Sequence, residues 1–118
     1  MEQKKKTLCF DLDNVICKTI GNNYRKSTPK KKVILEINKL FLKHKIIIFT
    51  ARFMGRTNNN ITKSKKLGYS FTQKQLKKWK VSYHKLIFGK PSFDYIVDDK
   101  AIGFSDNNWI QILKKKLK

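Results

Sequence analysis

The sequence predicts one α/β sandwich domain built on a mostly parallel sheet, and three observations carry that prediction. Two apolar runs, Leu8-Cys9-Phe10 and Tyr95-Ile96-Val97, each lead into a pair of carboxylates. A helix-spaced stretch separates the first run from a third, Ile46-Ile47-Ile48-Phe49, and strand and helix segments alternate without internal repeat. Near-continuous apolar runs mark parallel strands covered on both faces, where a half-exposed strand would alternate. At 118 residues the chain can bury one core but not two, so residues 1–118 are read as a single domain.

Each element follows from local pattern. Thr7 to Asp11 reads as a central strand, with Cys9 as a small buried hydrophobe inside it. Residues 18–28 are polar and contain the turn signal Gly21-Asn22-Asn23, which predicts a loop. Ser27 or Thr28 followed by Pro29 reads as a helix start, with Pro29 at the first helical position. Val33, Ile37, Leu40, Phe41 and His44 then fall on one face, giving an amphipathic helix to about Lys43. Ile46 to Thr50 is a second strand, closing a βαβ unit. Asn60 caps a short helix to Lys66, Gly68 ends it, and a second short helix runs from Gln73 to Lys78. Lys85 to Phe88 is a third strand and Tyr95 to Val97 a fourth. Trp109 to Leu117 reads as a final helix.

Composition narrows the partners. The net charge of +20 comes from 28 basic against 8 acidic residues, but only Arg25, Arg52 and Arg56 are arginine. Groove readers and phosphate clamps favour arginine's bidentate fork, and the lysines are scattered from Lys4 to Lys118. Compositional drift plus solubility explains them better than a dedicated nucleic-acid face, although such a field attracts any phosphorylated ligand. No apolar run approaches the roughly 20 residues of a membrane helix, and no signal-peptide core follows the basic start, so a cytoplasmic protein is expected. Two cysteines, Cys9 and Cys17, lack metal-ligand spacing.

Acid is scarce, and its placement is informative. Of six aspartates, Asp11, Asp13, Asp98 and Asp99 fall at the C-terminal ends of predicted strands, the edge where open α/β sheets hold ligands. Asp11 and Asp13, two apart, project into one volume on leaving a strand. Carboxylates that close repel unless a cation lies between them, and an open, oxygen-rich site suits Mg²⁺.

The ordered set Asp11-Leu12-Asp13-Asn14-Val15, Phe49-Thr50-Ala51-Arg52, Gly89-Lys90-Pro91 and Ile96-Val97-Asp98-Asp99 resembles the four motifs of the haloacid dehalogenase superfamily, with Asn14 in place of the commoner glycine. The resemblance spans most of the chain. It implies a Rossmann-like three-layer sandwich and a phosphoryl-transfer site in which Asp11 is the nucleophile, forming an aspartyl-phosphate, and Asp13 the general acid and base. It further implies that Thr50 hydrogen-bonds a phosphoryl oxygen and that Lys90 supplies positive charge, with Lys85 and Lys100 as other candidates for that role. Mg²⁺ would be held by Asp11, the backbone carbonyl of Asp13, and Asp98 or Asp99. Asn14 is a candidate substrate contact and Arg52 either a substrate contact or a solvated loop residue, while His44 and His84 are read as packing or surface residues.

The segments after Cys17 and after Asn60 are too short for the cap domain many superfamily members carry. A capless enzyme is therefore expected, open to a bulky substrate or shielded by a neighbouring subunit of a homo-oligomer. The chain looks most like the short phosphatase-like proteins of capsular polysaccharide and lipopolysaccharide synthesis, which implies a small phosphorylated sugar as substrate. A polynucleotide 3′-phosphatase is the alternative the charge favours, and a catalytically idle binding domain of the same fold is the alternative outside enzymes.

Overall fold

A computed structural model describes residues 4–118. The elements in order are β1 (Thr7–Phe10), β2 (Cys17–Lys18), a 3₁₀ turn at Tyr24–Lys26, β3 (Thr28–Pro29), α1 (Lys31–Phe41), β4 (Lys45–Thr50), α2 (Ile61–Lys78), β5 (Lys85–Phe88) and α3 (Trp109–Leu117). β1, β4 and β5 form a parallel sheet in that order, while β2 and β3 make a small antiparallel ladder. This is a mixed α/β fold with a parallel three-stranded sheet and three helices, a small Rossmann-like domain.

Both crossovers, β1-α1-β4 and β4-α2-β5, step the same way along the sheet. Right-handed connections therefore lay α1 and α2 on one face. Burial agrees with that arrangement. Phe10, Ile48 and Leu86 share a row of the register, as do Thr50 and Phe88, and all five are buried together with Ile46. Val33, Ile34 and Ile37 of α1, Leu76 of α2, and Trp109 and Leu113 of α3 complete this core. Trp109 meets Phe10 edge to face at 5.7 Å between ring centres. The rows between tell a different story: Cys9, Lys85 and Ile87 are exposed, and Ile47 and Phe49 only half-buried. The cover expected on both faces of the strands is thus complete on one and partial on the other, and Cys9 is not the buried residue its apolar neighbours suggest.

Three further expectations need correction. Pro29 does not open α1. It pairs with Cys17, whose strand it joins, and the helix starts two residues later behind Lys30. The two short helices are one continuous α2. Asn60 caps it as expected, accepting from the Lys63 N–H at 3.0 Å, but Gly68 lies mid-helix and buried. A β-carbon there would collide with the Phe53 ring, so close packing rather than termination selects glycine. The fourth strand is absent. Residues 91–101 are exposed and irregular, with Tyr95 at 92% and Val97 at 101% of full exposure.

Both histidines serve the backbone. Nδ1 of His44 accepts from the Lys6 N–H at 3.1 Å, and Nδ1 of His84 accepts from the Ile46 N–H at 2.9 Å. Each caps the N-terminal end of the sheet, opposite the edge that carries the aspartates.

Candidate active site

After β1 the chain turns sharply around the carbonyl of Leu12, which accepts from the amides of Val15, Ile16 and Cys17 at 3.3, 2.9 and 3.3 Å. Leu12 itself is fully buried, pinning the loop to the core. Asn14 takes a left-handed conformation (φ 66°), which asparagine tolerates better than most residues and which explains how it stands in for glycine. Its Oδ1 accepts from the Thr19 N–H at 3.2 Å, so the expected substrate contact is at least partly spent on the turn.

Asp11 and Lys90 meet at this edge. Gly89 (φ 107°) lets the chain leave β5 in a conformation closed to other residues, and the Lys90 amide then donates to the Thr50 carbonyl at 3.2 Å. Lys90 Nζ comes to 3.5 Å from Asp11 Oδ2. Lys85 and Lys100 are exposed and make no such contact. Burial pushes the Asp11 carboxyl above its ordinary value. The Lys90 charge and the Leu12 N–H, which donates to Oδ1 at 2.8 Å, oppose that rise, and the nearby Asp13 adds to it.

Asp13 is held from the other side. Its Oδ1 accepts from Thr19 Oγ1 at 2.6 Å and from Arg52 Nη2 at 2.9 Å, and its Oδ2 accepts from Arg52 Nε at 3.0 Å. Arg52 is 1% exposed, and its remaining nitrogen donates to Gln75 Oε1 at 2.6 Å and Thr72 Oγ1 at 3.3 Å. Expected at the substrate or in solvent, Arg52 is instead a buried positioning residue. It ties the loop after β1 to α2 and, through Gln75 Nε2 on the Tyr24 carbonyl at 2.7 Å, to the 3₁₀ turn. Thr50 is likewise fully buried. Its Oγ1 accepts from the Arg52 N–H at 3.1 Å and has no surface open to a phosphoryl group in this conformation.

All three arginines stack on one aromatic group. Arg52 lies over Tyr24 and Phe71, Arg25 over Phe71 at 5.1 Å, and Arg56 over Phe53 at 4.7 Å and Tyr24 at 5.9 Å. Arg25 and Arg56 are exposed, and among the described residues neither guanidinium has a hydrogen-bond or carboxylate partner. Sequence reasoning missed Thr19, Thr72 and Gln75. The row Ser64, Gly68, Thr72 at four-residue spacing, all small and all buried, was the available signal for a close-packed polar helix face.

Asp98 and Asp99 do not join the site. Both are exposed, Asp98 accepts only from the Lys100 N–H at 2.8 Å, and among the described residues no three His, Cys, Asp or Glu side chains converge to hold a metal. Two surface clefts, one at Leu40, His44 and Leu117 and one at Val33, Trp109 and Ile110, lie on the α1 and α3 side and are not lined by Asp11, Asp13 or Lys90.

No protein-family model matches this chain, and comparison with curated proteins gives no match. Among solved structures it is similar to the crystal structure of a target protein from Vibrio cholerae, with a TM-score of 0.77 and 26% identity over 94% of this chain and 98% of that one. The two share the fold over nearly their whole length.

Proposed function

We propose that this chain is a phosphomonoester hydrolase of the haloacid dehalogenase type, acting on a small phosphorylated sugar or related metabolite. The observation that supports it most is the approach of Lys90 to Asp11, two residues brought together from loops 79 positions apart at the ligand-binding edge of a parallel sheet. In this reading an Asp11 oxygen attacks phosphorus and the bond from phosphorus to the alcohol oxygen breaks, with Asp13 donating its proton to the leaving oxygen and becoming a carboxylate. Water then attacks the aspartyl-phosphate, Asp13 takes its proton, and the bond from phosphorus to Asp11 breaks to release phosphate. Lys90 neutralises charge on the transferring group. Arg52 fixes the rotamer of Asp13, so one carboxylate is half-free to attack while its neighbour is clamped.

Magnesium is the cation such a centre is expected to use, with Asp11, the Asp13 carbonyl and Asp98 or Asp99 as ligands. Within one chain that set does not close, because Asp98 and Asp99 stand apart in the exposed segment. Arg25 and Arg56, beside Asp13's clamp and without a hydrogen-bond or carboxylate partner among the described residues, suit a substrate bearing a second anionic group. The net charge keeps a 3′-phosphorylated oligonucleotide as the second reading.

A panel of sugar phosphates, 3′-phosphorylated oligonucleotides and p-nitrophenyl phosphate, each with Mg²⁺, tests this. Turnover of sugar phosphates with loss of all activity in Asp11→Asn is expected. Turnover of the oligonucleotides alone selects the second reading, and turnover of nothing leaves a binding domain. Among the described residues no helix is long and apolar enough to cross a membrane.

A further inference from the structure

The sheet has an open edge, and the same chain carries an unhoused strand. β1 pairs with β4 on one side and with nothing among the described residues on the other. An unpaired strand edge is a template for another strand. Phe93-Asp94-Tyr95-Ile96-Val97 has the aromatic and β-branched composition of a strand, yet Phe93, Tyr95, Ile96 and Val97 are all exposed. Four large apolar side chains in five residues is the kind of exposed patch that marks a contact surface. The arm also lies within an elongated particle, 46 Å along its longest axis against 24 Å along its shortest.

The arm cannot reach the β1 edge of its own chain. To run parallel to β1 it must start level with Thr7, which pairs with Lys45 at the far end of β4 from Thr50. That descent is roughly 17 Å, and two strand spacings sideways add about 10 Å, giving about 20 Å in a straight line. Yet the Lys90 amide is bonded to the Thr50 carbonyl at 3.2 Å, and the Ser92 amide to Asn59 Oδ1, in the loop after β4, at 3.1 Å. From Ser92 the chain extends at most about 11 Å by Tyr95. A second copy is not bound by this limit, and it offers the same open edge and the same arm.

We infer that two copies of this chain exchange residues 93–97 as parallel strands on each other's β1, and that the exchange delivers Asp98 and Asp99 of one protomer to Asp11 and Asp13 of its partner. A parallel strand ends at the same side of the sheet as β1, so the acidic pair arrives beside the first one; an antiparallel strand would carry it to the wrong end. The exchange is reciprocal, as a two-fold dimer requires. It rests on the phosphatase reading for the role of the aspartates, not for the strand pairing.

Light scattering on the purified full chain reads the pairing without any activity. Wild type should have twice the 14.0 kDa chain mass at micromolar concentration. Val97→Asp, a change at a side chain fully exposed in the single chain, should have the monomer mass with an unchanged far-ultraviolet circular dichroism spectrum. A monomeric wild type, or a Val97→Asp protein of dimer mass, overturns the exchange. The shared site is tested by co-refolding Asp11→Asn with an Asp98→Asn, Asp99→Asn double variant, each inactive alone towards p-nitrophenyl phosphate. Half the dimers would be mixed and one of their two sites intact, so roughly a quarter of wild-type turnover should return. No recovery, with an active dimeric wild type, overturns completion of the site in trans. A dimeric wild type that turns over no phosphate ester sinks the phosphatase reading and leaves the exchange standing.

Discussion

The guanidinium of Arg52 forks onto the carboxylate of Asp13, with Nη2 at 2.9 Å from Oδ1 and Nε at 3.0 Å from Oδ2, while its own side chain is wholly shielded from solvent. A buried arginine of this kind is satisfied only while every partner stays in place. Arg52→Ala takes the guanidinium from Asp13, which keeps the Thr19 hydroxyl, and from Gln75 and Thr72, and should cost about 3–5 kcal/mol of folding stability. Arg52→Lys keeps the charge but loses the fork, and should recover less than half of that loss. Urea unfolding of the three proteins checks both values, and equal stability of wild type and Arg52→Ala would refute the role.

The parallel sheet and the position of Asp11, Asp13 and Lys90 on it were legible because each rests on a short local signal: an apolar run, then a polar residue at its C-terminal end. Arg52 was misjudged because its burial depends on Asp13 and Gln75, 39 and 23 residues away. No local pattern reports such distant partners. Gly68 misled in the opposite sense. Its stop signal was read correctly as a local preference, but the Phe53 ring packed against it overrides that preference. Cys9 and the 93–97 arm show a third limit. Apolar content says that a segment needs cover; it does not say which chain supplies it.

Gly68 supplies a prediction whose sign is contrary to helix propensity. Alanine in the middle of an exposed helix gains about 1 kcal/mol over glycine. Here the added methyl group meets the Phe53 ring, and overpacking of that kind costs about 1–3 kcal/mol. Gly68→Ala should therefore be less stable than wild type, and pairing it with Phe53→Leu should restore part of the loss. Thermal unfolding of the single and double variants decides it; a stabilised Gly68→Ala would mean that the ring moves aside freely.

The two cysteines should separate cleanly in reactivity. Cys9 is exposed on the open face of the sheet. Cys17 is buried beneath Arg52 and Thr19; burial raises both thiols above their ordinary value, so access to the reagent rather than thiolate fraction separates them. An aromatic disulfide reagent at neutral pH should titrate one thiol per chain rapidly in the native protein and the second only after denaturant is added. Two fast thiols would show that the loop around Leu12 opens readily, and none would show that the open face is covered.

Asp11 gives the prediction most closely tied to function. Burial lifts its carboxyl above the ordinary value of 3.8, so the folded protein holds the proton to a higher pH than the unfolded chain does. Its contribution to stability is therefore complete below about pH 3.8 and is lost as pH rises through the folded-state value. Asparagine has no proton to lose. Asp11→Asn should match wild type in melting temperature at acid pH, become the more stable protein as pH rises through the carboxylate range, and hold a constant lead at neutrality. Lys90→Met removes the charge that opposes the rise, so its Asp11 should lose stability over a higher and wider pH window; any phosphatase turnover should fall by about 10²–10³-fold. Melting curves from pH 3 to 8 test the stability argument independently of any substrate. An Asp11→Asn protein no more stable than wild type at pH 7 would show that Lys90 and the Leu12 amide already compensate the buried charge, and that Asp11 carries no strain for phosphoryl attack to relieve.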